Sequence, residues 1–362
     1  MKGSNDHKRV GKIIFKKAIW RLQDNIVQWL WFVFGVKKDR IGFDKGLLTW
    51  QRESRHRNLR RNVHICLLEV NPKEGKFGRF TAFWINERSR ICSASLNERI
   101  EDADVLWVYS QDPLPPESKE ELLQKVKRAK PGTPVINHPD VYNSYHEEYA
   151  FRALENAGVS VPRSMFTERD VGKTLVVYKI RGKHWSPKLL SLYHGPIEGY
   201  RPFEFVDSKG PDGLYRQYRV LYVAEIIHPN YVAFSHKWNV ERANREHFEY
   251  TFEINPVETE SIHLIARTLN IQYFSVDYLR RSSDNLPFFT DINVYPLPID
   301  FTETAREFGY YGRWHLVDNR VRLGIPEPSG RPFWENFDEA MVSFAGKTSQ
   351  KDNIFKKTYS IR

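Results

Sequence analysis

The clearest chemistry in the chain rests on two carboxylates and an amide, Asp277, Asp291 and Asn293. Asp277 lies in the apolar run QYFSVDYLRR, and the other two lie in PFFTDINVYP. The tetrad SSDN (282–285) between them has turn composition. The two runs therefore predict a hairpin centred near Asp284, in which residue i faces residue 568 − i. That register sets Asp277 opposite Asp291, with Asn293 two residues further along the same face. Like charges facing each other beside Val276, Phe289 and Ile292 repel unless something positive stands between them. Hard oxygen donors of this kind suit Mg²⁺, held partly by waters and nucleotide phosphates. The competing structural reading has one aspartate capping a turn and the other pairing with Arg280 or Arg281.

The elements that must position this hairpin are legible upstream. VHICLLEV (63–70), DVLWVYS (104–110) and PVINHP (134–139) read as short buried strands. The stretch after Gly78 and KEELLQKVKRAK (119–130) read as helices, and strands alternating with helices predict a small parallel, Rossmann-like α/β unit. NPKEGKFG follows the first strand without a G-x-G-x-x-G pattern, which argues against a dinucleotide site. YHEEYAFRALENA (145–157) reads as a helix stopped by Gly158. Beyond it the pattern turns to hairpins, with strands at TLVVYKI (174–180), FEFVDS (203–208), RQYRVLYVAEII (216–227) and NYVAFSHKW (230–238). Turns are expected at GPDG (210–213) and HPN (228–230), and a helix at 256–269.

The pattern V-D-Y-L, hairpin, P-F-F-T-D-I-N-V-Y-P resembles the metal-binding end of ATP-grasp enzymes, especially the glutathione-synthetase-like and RimK-like branch. The stretch VINHPDVYNSYHEEYAFRALENAGVSVPRS resembles the same family's lead-in to its nucleotide domain. The resemblance covers roughly residues 63–300 and implies an α+β fold. The chain then divides into a basic leader with an amphipathic helix (1–62), a Rossmann-like unit (63–140), an ATP-grasp domain (141–300) and an aromatic-rich extension (301–362). The resemblance also implies ATP and Mg²⁺. Lys179 falls at the position of the strand lysine that contacts nucleotide phosphates, and Arg219 at that of the arginine meeting the transferred phosphate. Glu204, Phe205, Val206 and Asp207 match the hinge beside adenine and ribose, and Lys237 lies near further phosphate contacts, as does Asn239. Asp277, Asp291 and Asn293 match the metal ligands.

The implied reaction is amide or peptide bond formation from a carboxylate, through an acyl phosphate, and an amine. Alternatives are an ATP-grasp kinase acting on a hydroxyl, and a sensor that binds ATP without turnover. Three departures stand out. The second lysine of the family has no counterpart, since His146 and Glu147 occupy its place. The phosphate loop, IRGKHWSPK, has a single glycine, leaving Lys183 and His184 as phosphate donors. Asp291 stands where the family usually has Glu.

The net charge of +10 is not spread along the chain. Residues 1–62 hold 16 Lys/Arg against 5 Asp/Glu, and the remaining 300 residues hold 39 against 40. The near-neutral body argues against a general nucleic-acid surface. In 13–36, Ile14, Ala18, Leu22, Ile26, Trp29, Leu30 and Val33 form a helical stripe. Its uncharged run, Asn25 to Val36, is 12 residues long, short of the roughly 20 that span a bilayer. An anionic membrane surface or a homodimer contact fits this segment. RESRHRNLRR (52–61) reads as a solvated linker, with a grip on lipid or nucleic-acid phosphates as the alternative. Cys66 and Cys92 have no zinc or disulfide spacing, and no secretory signal pattern opens the chain. The expected location is cytoplasmic, with peripheral attachment at the inner membrane face as an alternative to contact with a partner protein. Trp314 and Trp334 read as packing over the body.

Overall fold

The computed structural model describes residues 62–70, 78, 81–82, 85–86, 89–110, 113–145, 147–180, 188–240, 245–249, 252–294, 296 and 330–346. The segment 13–36, the loop holding Lys183 and His184, His146 and Trp314 lie outside these residues.

Among the described residues the chain is mixed α+β and forms three sheets. Strands β1 (Val63–Leu68), β2 (Cys92–Leu96), β3 (Val105–Val108) and β4 (Val135–Ile136) form a parallel sheet in the order β2-β1-β3-β4. The sequence reading places no strand at 92–96, because CSASL has only one large apolar residue and sits at the sheet edge. Helix α1 (Pro116–Val126) begins on the proline of the PLPP breaker, where a missing N–H costs nothing. Helix α2 (Glu147–Asn156) ends before Gly158, whose φ of +92° matches its expected C-cap role.

A small antiparallel sheet follows, in the order β6-β5-β7, from β5 (Leu175–Ile180), β6 (Leu189–Leu192) and β7 (Tyr200–Glu204). A larger antiparallel sheet has the order β10-β9-β8-β11-β12. Its strands are β8 (Tyr215–Val223), β9 (Ile226–Ser235), β10 (His247–Glu249), β11 (Tyr273–Arg280) and β12 (Pro287–Asn293). Helix α3 (Pro256–Leu269) matches the expected span; Asn255 and Glu258 form a reciprocal capping box at its start.

One turn expectation is corrected. The β8–β9 hairpin reverses at Ala224–Glu225, both at positive φ (41° and 78°), and Pro229 and Asn230 lie inside β9. Val220 faces Pro229 while Arg219 faces Tyr231, so Asn230 is a bulged residue, a place that tolerates the neighbouring proline. Glu225→Gly is expected to raise stability by about 0.5–1 kcal/mol in urea unfolding, because glycine carries no penalty at positive φ.

Two cores flank the parallel sheet. On one side Cys66, Leu106, Leu122 and Leu154 pack with Val220, Phe274 and Ile262. On the other, Trp107 and Ile65 pack with Leu221, Tyr273 and helix α4 (Gly330–Phe344), through Phe333, Trp334, Phe337 and Met341. Trp334 is thus a core residue, as its aromatic setting suggests. Asp338 of α4 is fully buried, accepting from the Ser89 hydroxyl and, at 2.9 Å, from the Arg90 N–H.

The aspartate hairpin is stitched to this frame. Buried Asn137, just past β4, donates to the Tyr273 (2.7 Å) and Val294 (3.1 Å) carbonyls. Its side-chain oxygen accepts from the N–H groups of Gln272 (2.9 Å) and Tyr273 (3.1 Å). The Tyr109 and Tyr273 hydroxyls both donate to the Pro296 carbonyl, at 3.1 and 2.8 Å. Both ends of the chain segment carrying the site are therefore fixed to rigid elements. Among the described residues, no helix is long and apolar enough to cross a membrane.

Candidate active site

The hairpin register places Asp277 opposite Asp291 and Ser275 opposite Asn293, which is the pairing expected from i facing 568 − i. Closer to the turn the register slips by one, so that Tyr278 faces Phe289 and Thr290 is bulged. The bulge re-aims Thr290. Its hydroxyl donates to the Asp277 carbonyl at 3.2 Å, and its own carbonyl accepts from Lys179 Nζ at 3.4 Å.

Because Asp277 also faces Arg219 across β11–β8, and Arg219 faces Tyr231 across β8–β9, one row crosses four strands: Tyr231, Arg219, Asp277, Asp291. The bulges at Asn230 and Thr290 bracket this row. Arg219 grips Asp277 with two bonds, Nε to Oδ1 at 2.5 Å and Nη2 to Oδ2 at 2.7 Å. Gln217, two residues before Arg219 on the same face, donates to Oδ2 at 2.9 Å. Asp277 therefore pairs with Arg219, while Arg280 pairs with Glu258 (2.6 Å) and Arg281 with Asp284. The turn-capping aspartate is Asp284, which accepts from the Leu286 N–H at 3.2 Å.

Asp291 is different in kind. Its side chain is exposed to solvent, and among the described residues its carboxylate accepts no hydrogen bond. Crowding protein atoms desolvate it and the charge of Asp277 faces it, and together these raise its pKa above the ordinary carboxylate value. Lys179, Arg219 and Lys188 oppose that rise.

Lys179 arrives from the small sheet. It shares a face of β5 with Val177, and its ammonium lies 4.8 Å from the Phe203 ring centroid. Desolvation lowers its pKa to about 8, with Lys188 adding to the shift and Asp291 and Asp277 opposing it. A cation from one sheet thus meets the carboxylate row of another.

Glu204 closes β7, and Phe205, Val206 and Asp207 carry the chain from the small sheet towards β8. The Glu204 N–H donates to the Arg163 carbonyl (2.8 Å) and the Phe205 N–H to the Leu175 carbonyl (3.0 Å). Val206 is buried, and the Phe205 ring meets Trp238 edge-on at 6.0 Å. Asp207 is exposed; its side chain accepts from the Lys209 N–H (3.0 Å), and its carbonyl accepts from the Ser282 N–H (2.8 Å). Lys237 is exposed just beyond β9, where its N–H donates to the Ser235 hydroxyl at 3.0 Å. FEFVDS is thus a connection between sheets more than a strand.

Lys179, Arg219, Asp277 and Asp291 converge, Asn293 lies two residues along the strand from Asp291, and 204–207 begin the crossing between the two sheets. The sequence reading missed Gln217, Thr290 and Lys188. Period-two spacing from Arg219 points to Gln217, whereas a bulge leaves no signature that would single out Thr290.

Among the described residues, no group of three or more His, Cys, Asp or Glu is placed to hold a metal. The oxygens of Asp277 are engaged, but Asp291 offers an oxygen pair without a bond from any described residue, and Asn293 lies two residues along the same face. A carboxylate and an amide are hard oxygen donors of the kind that suit Mg²⁺, which keeps several waters of its own.

No protein-family model matches the chain, and no curated protein matches it. Several solved structures are similar to it at low identity. The ATP-grasp ligase PsnB, complexed with a phosphomimetic variant of its minimal precursor, Mg and ADP, is 14% identical; the match covers 78% of this chain and 99% of that one, with a TM-score of 0.49. The macrocyclase MdnC from Microcystis aeruginosa MRC, bound with precursor peptide MdnA, is 10% identical over 72% of this chain and 99% of the other, at 0.42. A D-alanine–D-alanine ligase from Bacillus anthracis complexed with ATP is 12% identical over 79% and 99%, at 0.46. At these scores the likeness is one of resemblance, and the site stands on its own geometry.

Proposed function

We propose that this chain is an ATP-dependent carboxylate–amine ligase of ATP-grasp type, requiring Mg²⁺ and forming an amide or peptide bond. The observation that carries this reading is the approach of Lys179, on the small sheet, to Thr290 and the Asp277–Asp291 row of the large sheet. Two sheets joined through 205–214, with a cation on one and carboxylates on the other, can clasp a charged, elongated substrate such as a nucleoside triphosphate.

In this reading the substrate carboxylate attacks the γ-phosphorus and ADP leaves, giving an acyl phosphate. The amine then adds to the acyl carbon and expels phosphate. Lys179, Lys183 and Lys237 neutralise phosphate charge, and Arg219 meets the transferred group. Glu204, Phe205, Val206 and Asp207 hold the base and ribose. Asp291 and Asn293, with Asp277 behind them, hold the Mg²⁺, which when bound supplies charge neutralisation at the phosphates. The chain's own contribution is mainly positioning on rigid strands. Residues 63–140 and 301–362 shape the acceptor side around the domain at 141–300, and the basic segment 1–62 sets location through an anionic membrane surface or a second copy.

The first test is thermal. ATP with Mg²⁺ is expected to raise the melting temperature by several degrees, and Lys179→Ala to abolish that rise while leaving the unliganded melting temperature near that of wild type. A shift of equal size in the variant would remove Lys179 from the site. Incubation with carboxylate and amine mixtures then separates the chemistries: free phosphate with an amide product supports a ligase, phosphate retained on the acceptor a kinase. Stabilisation by ATP with no acceptor-dependent ADP release indicates a sensor.

A further inference from the structure

Asp277 and Asp291 share one row yet stand in opposite states. The Asp277 side chain is 5% exposed and the Arg219 side chain covering it is 26% exposed. Arg219 occupies both Asp277 oxygens, and Gln217 adds a third bond at Oδ2. Asp291, next in the row, accepts nothing from the described residues. A cation approaching from solvent therefore meets Asp291 first, whereas Asp277 lies behind a guanidinium of the same sign.

We propose that Arg219 is a gate on Asp277. A divalent cation at Asp291 and Asn293 and the Arg219 guanidinium compete for the Asp277 carboxylate, so that metal binding and release of Arg219 towards an anion in the cleft are coupled. The proposal rests on the reading of this cleft as a metal and nucleotide site, and deepens it. The competition follows from charge: the cation gains Asp277 only as Arg219 gives it up, and like charges on one carboxylate repel. An anion on the solvent-facing side of the guanidinium weakens its hold on Asp277 and thereby favours the cation. By linkage the two effects are equal in size. The Tyr231 ring, 5.4 Å from the Arg219 guanidinium carbon, gives the released group a surface to rest on. Arg219 acts here as a positioning residue, keeping the buried carboxylate compensated until both ligands are present.

The test is Mn²⁺ binding to the full chain without nucleotide, followed by electron paramagnetic resonance. Arg219→Gln is expected to bind Mn²⁺ at least about tenfold more tightly than wild type, and adding Asp277→Asn is expected to erase the gain. Sulfate is expected to tighten Mn²⁺ binding severalfold in wild type and not in Arg219→Gln. Arg219→Lys keeps the charge against Asp277 with a single contact, so an intermediate affinity is expected, and it serves should Arg219→Gln fail to fold. Unchanged or weaker Mn²⁺ binding in both variants overturns the gate. If that happens while ATP with Mg²⁺ still stabilises wild type, the gate alone has failed. If wild type shows neither that stabilisation nor Asp291-dependent Mn²⁺ binding, the site reading fails and the gate with it.

Discussion

Asp291→Asn is expected to lower acceptor-dependent ADP release by about two to three orders of magnitude, while the variant melts at the wild-type temperature or slightly above it. The two halves of that outcome have one cause. Desolvation and the facing charge of Asp277 make the ionised Asp291 unfavourable in the folded state, which is what its raised pKa expresses. Replacing it with a neutral isostere relieves the repulsion and removes no hydrogen bond to any described residue. A carboxylate at such a position opposes folding, and on the proposed reading a bound cation offsets that cost. Asp277→Asn behaves differently, because it takes away the partner of Arg219 and a bond from Gln217. Its expected cost is on the order of 3 kcal/mol, so lost activity in that variant mixes chemistry with stability. A fully active Asp291→Asn would remove the metal role from this carboxylate, and one that loses activity together with its fold would remove the argument from strain.

The part of this site that the sequence carried was the part set by period-two alternation. Two apolar runs around SSDN fix which residues face each other, so the Asp277–Asp291 pairing was legible before any coordinates. Alternation within one strand is silent about the next strand over. The bond from Arg219 to Asp277 arises because β8 and β11 are neighbours, and they are 58 residues apart at that contact. The site arginine and the site aspartate were therefore both visible, and their commitment to each other was not. The misplaced turn has a similar origin. HPN has the composition of a turn, but the bulge at Asn230 accommodates it inside β9, and the reversal falls on Ala224–Glu225, residues with no turn propensity. Helix α3 was legible to its ends because its cap, its opening proline and its apolar spacing all agree. Strand β2 carries one large apolar residue and has no such agreement between levels.

The second large effect is on stability against acid, and it comes from two histidines outside the cleft. His64 and His228 are 9% and 7% exposed, and burial lowers both to about 4 from an ordinary 6.5. At His64 the charge of Arg99 adds to desolvation, while Asp104 and Asp102 oppose it. The sign follows from which state takes the proton. Between pH 6.5 and about 4 the unfolded chain is protonated at these positions and the native one is not. Stability is thus present above pH 6.5 and lost as the pH falls, by about 2 kcal/mol per histidine between pH 7 and 5. Asp291 works in the opposite direction, since a raised carboxylate pKa favours the folded state as the pH drops, so its contribution partly masks the loss. His228 is the informative site, because its ring lies edge-on to Phe333 at 5.3 Å and 3.3 Å from the Asn336 amide, both on helix α4. Protonating it sets a charge in the seam between β9 and α4. Urea unfolding at pH 7 and pH 5 is expected to show the loss in wild type, and His228→Gln, which keeps an acceptor for Asn336, to show about 2 kcal/mol less of it. An unchanged difference between the two pH values would mean that the ring reaches water through local opening of α4, and the seam would then be looser than its packing implies.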